Sequence, residues 1–312
     1  MTPQRILVTG AGGFVAGHLL PMLGAAFPDA ELVLMGGQGV PVDLADGPAV
    51  ADFVAAVAPD ACIHLAAISA VPAATGDPDL AWRVNVLGTL ALARALQKAR
   101  PEAVLLYASS AEIYGRSFAA GVALDERAAA APMNTYAATK AAADLALGAM
   151  AASGLRVIRL RPFNHTGPGQ SADFVVPAFA RQVARIAAGL QAPVLKVGAL
   201  DPRRDFLDVR DVCTAYVGCL GRAEALAPGV ILNIASGTAR RVGDILDGLL
   251  ALAGVSAEIG TGAGLLRRAE IPTASGDAGA ARAALDWAPA IAWEQTLADV
   301  LADWRERVAA GE

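Results

Sequence analysis

Through the first half of the chain, short runs of consecutive apolar residues alternate with longer stretches in which apolar positions recur every three or four residues. The short runs predict strands over 5–9, 31–35, 61–65, 103–108 and 155–160, and the longer stretches predict helices over about 14–26, 45–58, 79–100 and 134–153. Alternation of this kind predicts βαβ units and a parallel sheet. Both faces of such a sheet are covered, so its strands read as unbroken apolar runs. After Pro162 the rhythm changes: 163–171 reads as a Gly/Pro/Asn loop, followed by helices over 175–190, 211–221, 242–253 and 293–308 and a strand over 230–234. The expected fold is α/β, a doubly wound parallel sheet over 1–162 with some later segments returning to it, and a smaller mixed α/β lobe mainly over 163–312.

Composition tests this reading. The chain has 312 residues, 55% of them hydrophobic, with Lys+Arg 25 against Asp+Glu 30. That apolar content excludes a disordered chain, and the acidic balance excludes nucleic-acid binding through bulk charge. Mean hydropathy is high, at +0.47, and no charged side chain stands between Arg5 and Asp29. A membrane span or signal peptide is the plain alternative for that stretch. Gly10, Gly12, Gly13, Gly17, Gly24 and Pro21 break it up, so a cytoplasmic protein is expected. Cys62, Cys213 and Cys219 are odd in number and lack metal-ligand spacing, and His18, His64 and His165 do not cluster, so reduced thiols and no metal site are expected.

The uncharged stretch contains Gly10-Ala-Gly12-Gly13-Phe14-Val15-Ala16, directly after the first predicted strand and opening the first predicted helix. Glycines there let the chain turn sharply and bring backbone N–H groups close to a pyrophosphate at a helix N-terminus. This predicts a Rossmann-type dinucleotide site. The acidic residue expected about 20 residues on, at the end of the second strand, is absent; that end reads Met35-Gly36-Gly37. No carboxylate there repels a 2′-phosphate, which favours NADP(H) slightly and leaves NAD(H) open.

Tyr136 and Lys140 stand four apart, on one face of a predicted helix. A nearby ammonium favours phenolate and makes a phenol a better proton carrier near neutrality. Ser110 ends the fourth strand, where doubly wound sheets bind ligands, and is placed to hydrogen-bond a substrate oxygen. Taken singly, these residues suit an ordinary amphipathic helix and a strand-terminating serine equally well.

In chain order, Thr9-Gly10-x-x-Gly13-Phe14, His64-Leu65-Ala66-Ala67, Asn85-Val86-x-Gly88-Thr89, Ser110-x-x-x-Tyr114-Gly115 and Tyr136-x-x-x-Lys140 resemble the extended short-chain dehydrogenases/reductases, the NAD-dependent epimerase/dehydratase family. The resemblance spans nearly the whole chain. It implies a nicotinamide cofactor, with Gly10, Gly13, Phe14, Val15, Asp43, Leu44, Leu65, Ala66, Ala67, Tyr136, Lys140 and Pro162 among its contacts. Asp43 matches the family's adenine-contacting aspartate. Tyr136 is implied as the acid/base, Lys140 as its tuner, and Ser110 as the hydroxyl that polarises a sugar C4 oxygen. Homodimers built from paired helices are common in this family.

Within that family, Arg161-Pro162-Phe163-Asn164-His165-Thr166-Gly167-Pro168-Gly169-Gln170, Arg204-Asp205-Phe206-Leu207-Asp208 and Arg267-Arg268-Ala269-Glu270 resemble the GDP-6-deoxy-D-mannose reductases. This implies a GDP-sugar substrate held by the second lobe. Asn164 and Arg204 would meet the diphosphate; Arg267 or Arg268, with Glu270, would serve diphosphate and ribose; Glu112 would face the sugar. Guanidinium forks suit phosphate oxygens, and a net-acidic protein needs such local cations. The implied reaction is reduction of the C4 ketone of a nucleotide-linked 4-keto-6-deoxyhexose. Nucleotide-sugar 4-epimerases and 4,6-dehydratases are the alternative. Ala111 replaces the acid that one dehydratase type uses to expel the C6 hydroxyl, whereas Glu112 keeps a carboxylate. A non-catalytic dinucleotide-sensing protein ranks lower, because such proteins often lose the Tyr or the Lys.

Overall fold

The computed structural model describes residues 3–261 and 271–312. Its strands are β1 (Arg5–Thr9), β2 (Glu31–Met35), β3 (Ala61–His64), β4 (Val104–Ala108), β5 (Arg156–Pro162), β6 (Asn164–Thr166), β7 (Val194–Val197), β8 (Arg203–Asp208), β9 (Ile231–Ile234), β10 (Ala239–Arg241), β11 (Glu258–Thr261) and β12 (Thr273–Ala274). Its α-helices are α1 (Phe14–Ala26), α2 (Gly47–Val57), α3 (Val71–Gly76), α4 (Pro78–Trp82), α5 (Thr89–Ala99), α6 (Thr135–Ala152), α7 (Val175–Ala187), α8 (Val209–Gly221), α9 (Val242–Ala253), α10 (Gly279–Leu285) and α11 (Trp293–Ala309).

The central sheet is parallel throughout, in the order β2-β1-β3-β4-β5-β9. Its strands are apolar at successive positions because each face has its own cover. Ile6 and Val8 of β1 pack with Leu19 and Leu23 of α1 and Val212 and Tyr216 of α8. Leu7, between them, packs on the opposite face with Val50 of α2, Leu92 of α5 and Leu147 of α6. The strand order turns back between β1 and β3, and there the carboxyl ends of the strands open a crevice. β9 joins this sheet from late in the chain, and α8 returns to cover it.

The second lobe has a separate core, in which α7, α9 and α11 bury Phe179, Val183, Leu246, Leu249, Val300 and Trp304. Two small sheets flank it: β10-β8-β12, to which β6 is joined through β8, and β11 paired with β7. The fold is the expected Rossmann-type doubly wound sheet with a smaller mixed lobe.

Two expectations change. The helix predicted over 79–100 is α4, a π-helical turn (Arg83–Gly88) and α5 in succession. The extra residue in a π turn shifts the register of the faces without changing which residues are apolar, so periodicity does not reveal it. The π turn ends on Gly88, where a Cβ would stand 2.6 Å from the Leu44 carbonyl oxygen, so the helix runs directly against the strand-to-α2 connection. The stretch read as a loop over 163–171 contains β6, whose Asn164, His165 and Thr166 pair with Phe206, Leu207 and Asp208 of β8. Such a short, polar strand carries no alternation to detect.

The loop after β6 is fastened at three points. The His18 Nε2 of α1 bonds the Pro168 carbonyl (2.9 Å), the Gly169 N–H donates to Asp303 of α11 (3.0 Å), and Arg307 of α11 donates to the Gln170 carbonyl (3.2 Å). Among the described residues no helix is long and apolar enough to cross a membrane.

Candidate active site and cofactor cleft

At the crevice lies a cavity of about 830 Å³. One end is the turn after β1. Gly10 has φ +69°, and a Cβ on it would come within 2.7 Å of the Ala66 N and 2.8 Å of the Ala66 Cα, so only glycine lets this turn lie against the loop after β3. Gly12 and Gly37 face each other in the same way, with a Cβ on Gly12 standing 2.7 Å from the Gly37 Cα. The Gly13 N–H returns to the Gly10 carbonyl (2.9 Å), and the Gly17 N–H makes the bond to the Gly13 carbonyl (3.1 Å). The amides between them belong to the uncapped first turn of α1, whose N-cap, Gly13, has no side chain to offer. Free N–H groups and the helix dipole suit a pyrophosphate there.

A buried polar chain fixes the floor of this end. Thr9 and His64 are register partners across β1 and β3, and Thr9 Oγ1 lies 2.7 Å from His64 Nδ1. His64 Nε2 lies 2.9 Å from Thr89 Oγ1, which donates its own proton to the Asn85 carbonyl (2.8 Å). Thr89 therefore accepts from His64 Nε2–H, and Nδ1 accepts from Thr9. Burial, then the nearby Lys140 charge, push the His64 pKa down to about 3, so the ring stays neutral. Asn85, from the π turn, accepts from the Ile68 N–H (2.8 Å) and donates to the Ile68 carbonyl (3.1 Å) and to Thr139 (3.0 Å). It ties the loop holding Leu65, Ala66 and Ala67 to the helix that carries Tyr136.

At the other end, Tyr136 and Lys140 project from α6, which Asn134 caps by accepting from the Ala137 N–H (2.8 Å). The Tyr136 phenol is pushed up to about 12, chiefly by burial; the Ser110 hydroxyl beside it pulls it down and the Glu112 carboxylate pushes it up. Ser110 Oγ accepts from the Glu112 N–H (3.1 Å), which leaves the hydroxyl proton for another acceptor. Lys140 is lowered to about 7, by burial against the opposing pull of Asp144. Its Nζ donates to the Ala108 carbonyl and stands 4.4 Å from the centroid of the Tyr107 ring. Among the described residues, the hydrogen bond of the Lys140 ammonium is thus to the backbone, not to the phenol.

All twelve positions expected to touch the cofactor, Gly10, Gly13, Phe14, Val15, Asp43, Leu44, Leu65, Ala66, Ala67, Tyr136, Lys140 and Pro162, line this one cavity, as do Ser110, Glu112 and Asn164. Arg204, on β8, lies outside the lining. Burial lowers its pKa and the Glu112 carboxylate raises it; among the described residues its side chain hydrogen-bonds the Arg203 carbonyl (2.8 Å). Arg267, Arg268 and Glu270 lie outside the described residues. Sequence reasoning missed His165, which lines the cavity, stacks on Phe14 at 6.3 Å and bonds the Phe163 carbonyl through Nδ1 (3.0 Å). It also missed Ser109, a buried lining residue whose hydroxyl has no partner among the described residues.

This arrangement has known counterparts. The description "NAD dependent epimerase/dehydratase family" matches residues 6–235. The chain belongs to that family. It is 39% identical over 306 residues to the GDP-6-deoxy-D-mannose reductase of Pseudomonas aeruginosa, covering 98% of each chain. The solved structure of RMD from Pseudomonas aeruginosa complexed with NADPH superposes with a TM-score of 0.87 at 37% identity, covering 97% of this chain and 99% of the other. The UDP-glucose 4-epimerase of Thermus thermophilus, in complex with NAD, superposes with a TM-score of 0.82 at 27% identity, covering 96% and 99%.

Proposed function

We propose that the protein is an NAD(P)H-dependent nucleotide-sugar 4-ketoreductase acting on GDP-4-keto-6-deoxy-D-mannose, giving GDP-6-deoxy-mannose or its C4 epimer. The observation that carries this reading is that the glycine cradle, Ser110, Tyr136 and Lys140 open on one cavity. Likeness to a GDP-6-deoxy-D-mannose reductase, 39% identical over 98% of both chains, supports the substrate. The likeness to an NADPH complex supports NADP(H) as the favoured cofactor, and the NAD complex of a more distant relative keeps NAD(H) in play.

The glycine cradle would hold the nicotinamide cofactor, which would supply the hydride for C4. The chain's own residues handle the oxygen. Ser110, its lone pair already engaged by the Glu112 N–H, donates its hydroxyl proton in a hydrogen bond to the C4 oxygen and steadies the charge that develops there. Tyr136, protonated at neutral pH because its pKa stands near 12, delivers the proton that completes the alcohol. Lys140, whose Nζ stands at the end of β4 with its pKa lowered to about 7, would offer a donor to the cofactor ribose. Asn164 and Arg204, with Arg267 or Arg268 and Glu270, are assigned to the diphosphate and nucleotide ribose. Residues 1–162 are assigned to the cofactor, and 163–312 mainly to the nucleotide sugar.

The Glu112 carboxylate beside Tyr136 favours a dehydratase as a second reading, and the likeness to a UDP-glucose 4-epimerase adds an epimerase to it. Such enzymes recycle their cofactor, so net NADPH oxidation separates the two. Purified protein mixed with NADPH and enzymatically prepared GDP-4-keto-6-deoxymannose should lose absorbance at 340 nm in step with a product two hydrogens heavier. No oxidation would reject the reductase reading. Tyr136→Phe should lower kcat by about 10²-fold or more while NADPH still binds.

A homodimer is part of the proposal. Trp82, Leu87 and Leu145 are exposed large apolar residues on α4, the π turn and α6, three elements that pack together. Light scattering at micromolar concentration should give twice the chain mass, and Leu145→Glu should halve it. A cytoplasmic location is also proposed, supported by three buried, unpaired thiols.

A further inference from the structure

Behind the proposed acid/base pair lies a buried charge cluster that catalysis, as described so far, does not use. Asp144 follows Tyr136 and Lys140 at the next helical turn of α6, on the same face. Its side chain is fully buried. Its Oδ1 accepts from Arg159 Nη1 (3.1 Å) and Arg161 Nη2 (2.9 Å), and its Oδ2 from Arg161 Nε (3.2 Å). Arg161 continues to the Tyr114 hydroxyl (3.0 Å), which donates to Asn233 (2.7 Å). Arg159 directs its remaining donors at the Gly229 carbonyl (2.6 and 3.1 Å) and the Asp144 carbonyl (3.1 Å).

Two guanidinium groups therefore share a single carboxylate inside the protein, and Lys140, one helical turn before it on the same face, feels its charge. The groups around Lys140 are Tyr136 and Asp144 on its own helix, His64 on β3 and Tyr107 on β4, with Arg159 and Arg161 of β5 paired to Asp144 behind it. His64 is held neutral by burial, and burial raises the Tyr107 phenol, so it too is neutral. Among these groups Asp144 is the one carboxylate. Without it, two guanidinium groups would stand unpaired in the interior behind Lys140, and the lysine would lose the charge that opposes its burial.

We propose that Asp144 is a positioning residue for the reaction: ion-paired to Arg159 and Arg161 one helical turn beyond Lys140, it favours the charged form of that lysine and seats the Tyr136–Lys140 face of α6 against β4 and β5. The proposal rests on the reading of Tyr136 and Lys140 given above. Asp144 touches neither cofactor nor substrate and acts through Lys140. The chain contains three lysines, Lys98, Lys140 and Lys196, so each can be followed separately. Lys98 and Lys196 are exposed and serve as internal references.

The test is a pH titration of the full chain labelled with ¹³C-lysine, followed by NMR. Asp144→Asn should move the Lys140 midpoint down by about one pH unit or more, the size expected for losing a charge one helical turn away in the interior. Arg159→Gln, which removes a cation from the same cluster, should move it up. The alkaline limb of kcat for ketone reduction should follow in the same two directions, and Asp144→Glu should restore part of the shift. If Asp144→Asn gives no cooperative unfolding transition, the Arg159→Gln titration decides alone: an upward shift supports the proposal and an unmoved midpoint overturns it. Lower kcat in both variants with an unmoved Lys140 midpoint would make Asp144 purely structural and overturn it. Normal turnover by Tyr136→Phe beside the expected Lys140 shifts would overturn the reading of the site and leave the electrostatic role of Asp144 standing.

Discussion

Two alanines placed seven residues apart in the same stretch should act with opposite sign. At Gly10 the backbone is left-handed (φ +69°), and an added Cβ would meet the Ala66 backbone N at 2.7 Å and Cα at 2.8 Å. A left-handed L-residue costs roughly 1–2 kcal/mol. Forcing two backbone segments apart adds about 1–3 kcal/mol. Gly10→Ala should therefore destabilise by about 2–5 kcal/mol, and because the atoms that must move belong to the cofactor cradle, NADPH affinity should fall with it. Gly17 lies on the exposed side of α1 with nothing within 4 Å of its added Cβ. Alanine there removes only the entropic cost of a helical glycine and should stabilise by about 1 kcal/mol. Urea unfolding gives both stability changes, and quenching of protein fluorescence by NADPH gives the affinity. A Gly10→Ala protein with parental midpoint and parental NADPH Kd would refute the close-approach argument, whatever Gly17→Ala does.

Other outcomes can be checked in the same protein. Asn85→Leu strips the half-buried Ile68 N–H and carbonyl of their partners; it should cost about 1–3 kcal/mol in urea unfolding and weaken NADPH binding. Arg204→Ala should raise KM for the GDP-sugar about tenfold or more with the NADPH Kd unchanged, and an unchanged KM would remove Arg204 from the diphosphate site. His64 has its pKa pushed from the ordinary 6.5 down to about 3 in the fold. The unfolded chain then binds the proton first, so stability present above pH 6.5 is lost as pH falls toward 3, at up to about 1.4 kcal/mol per unit from this residue. Denaturant midpoints at pH 7 and 5 measure that loss. NADPH should outperform NADH modestly in kcat/KM, since neither acid nor guanidinium stands at the end of β2; a preference for NADH would overturn the cofactor assignment.

The cleft was legible because the residues that line it lie in short segments of fixed form. Gly10 to Val15, Asp43-Leu44, Leu65 to Ala67 and Pro162 are each local to one strand end, and the parallel sheet brings strand ends together by construction. The supports behind the cleft were not legible. Asn85 is meaningful only through Ile68 and Thr139, which are 17 and 54 residues away. Asp144 reads as a stray charge on a helix until β5 places Arg159 and Arg161 against it. The second lobe hid for a related reason. β8 reads Arg-Arg-Asp-Phe-Leu-Asp, yet its buried Asp205 is satisfied by N–H groups of Ser236, Gly237 and Gly276 from two distant loops. No pattern within six residues records that rescue.

The fastening of 168–170 by α11 bears on how the molecule is made. A ribosome releases β1 through β5 and the Tyr136 helix long before Asp303 and Arg307 emerge, yet those two side chains grip the loop that closes the cleft wall. β9, which completes the sheet edge beside β5, also arrives late. A nascent chain thus holds a nearly finished cradle beside an open strand edge while about 70 residues are added, and beside an unclosed wall while about 140 are added, roughly several seconds or more at ordinary synthesis rates. That interval is when a chaperone has most to protect, and when a stalled or truncated product is most prone to pair its open edge with another chain.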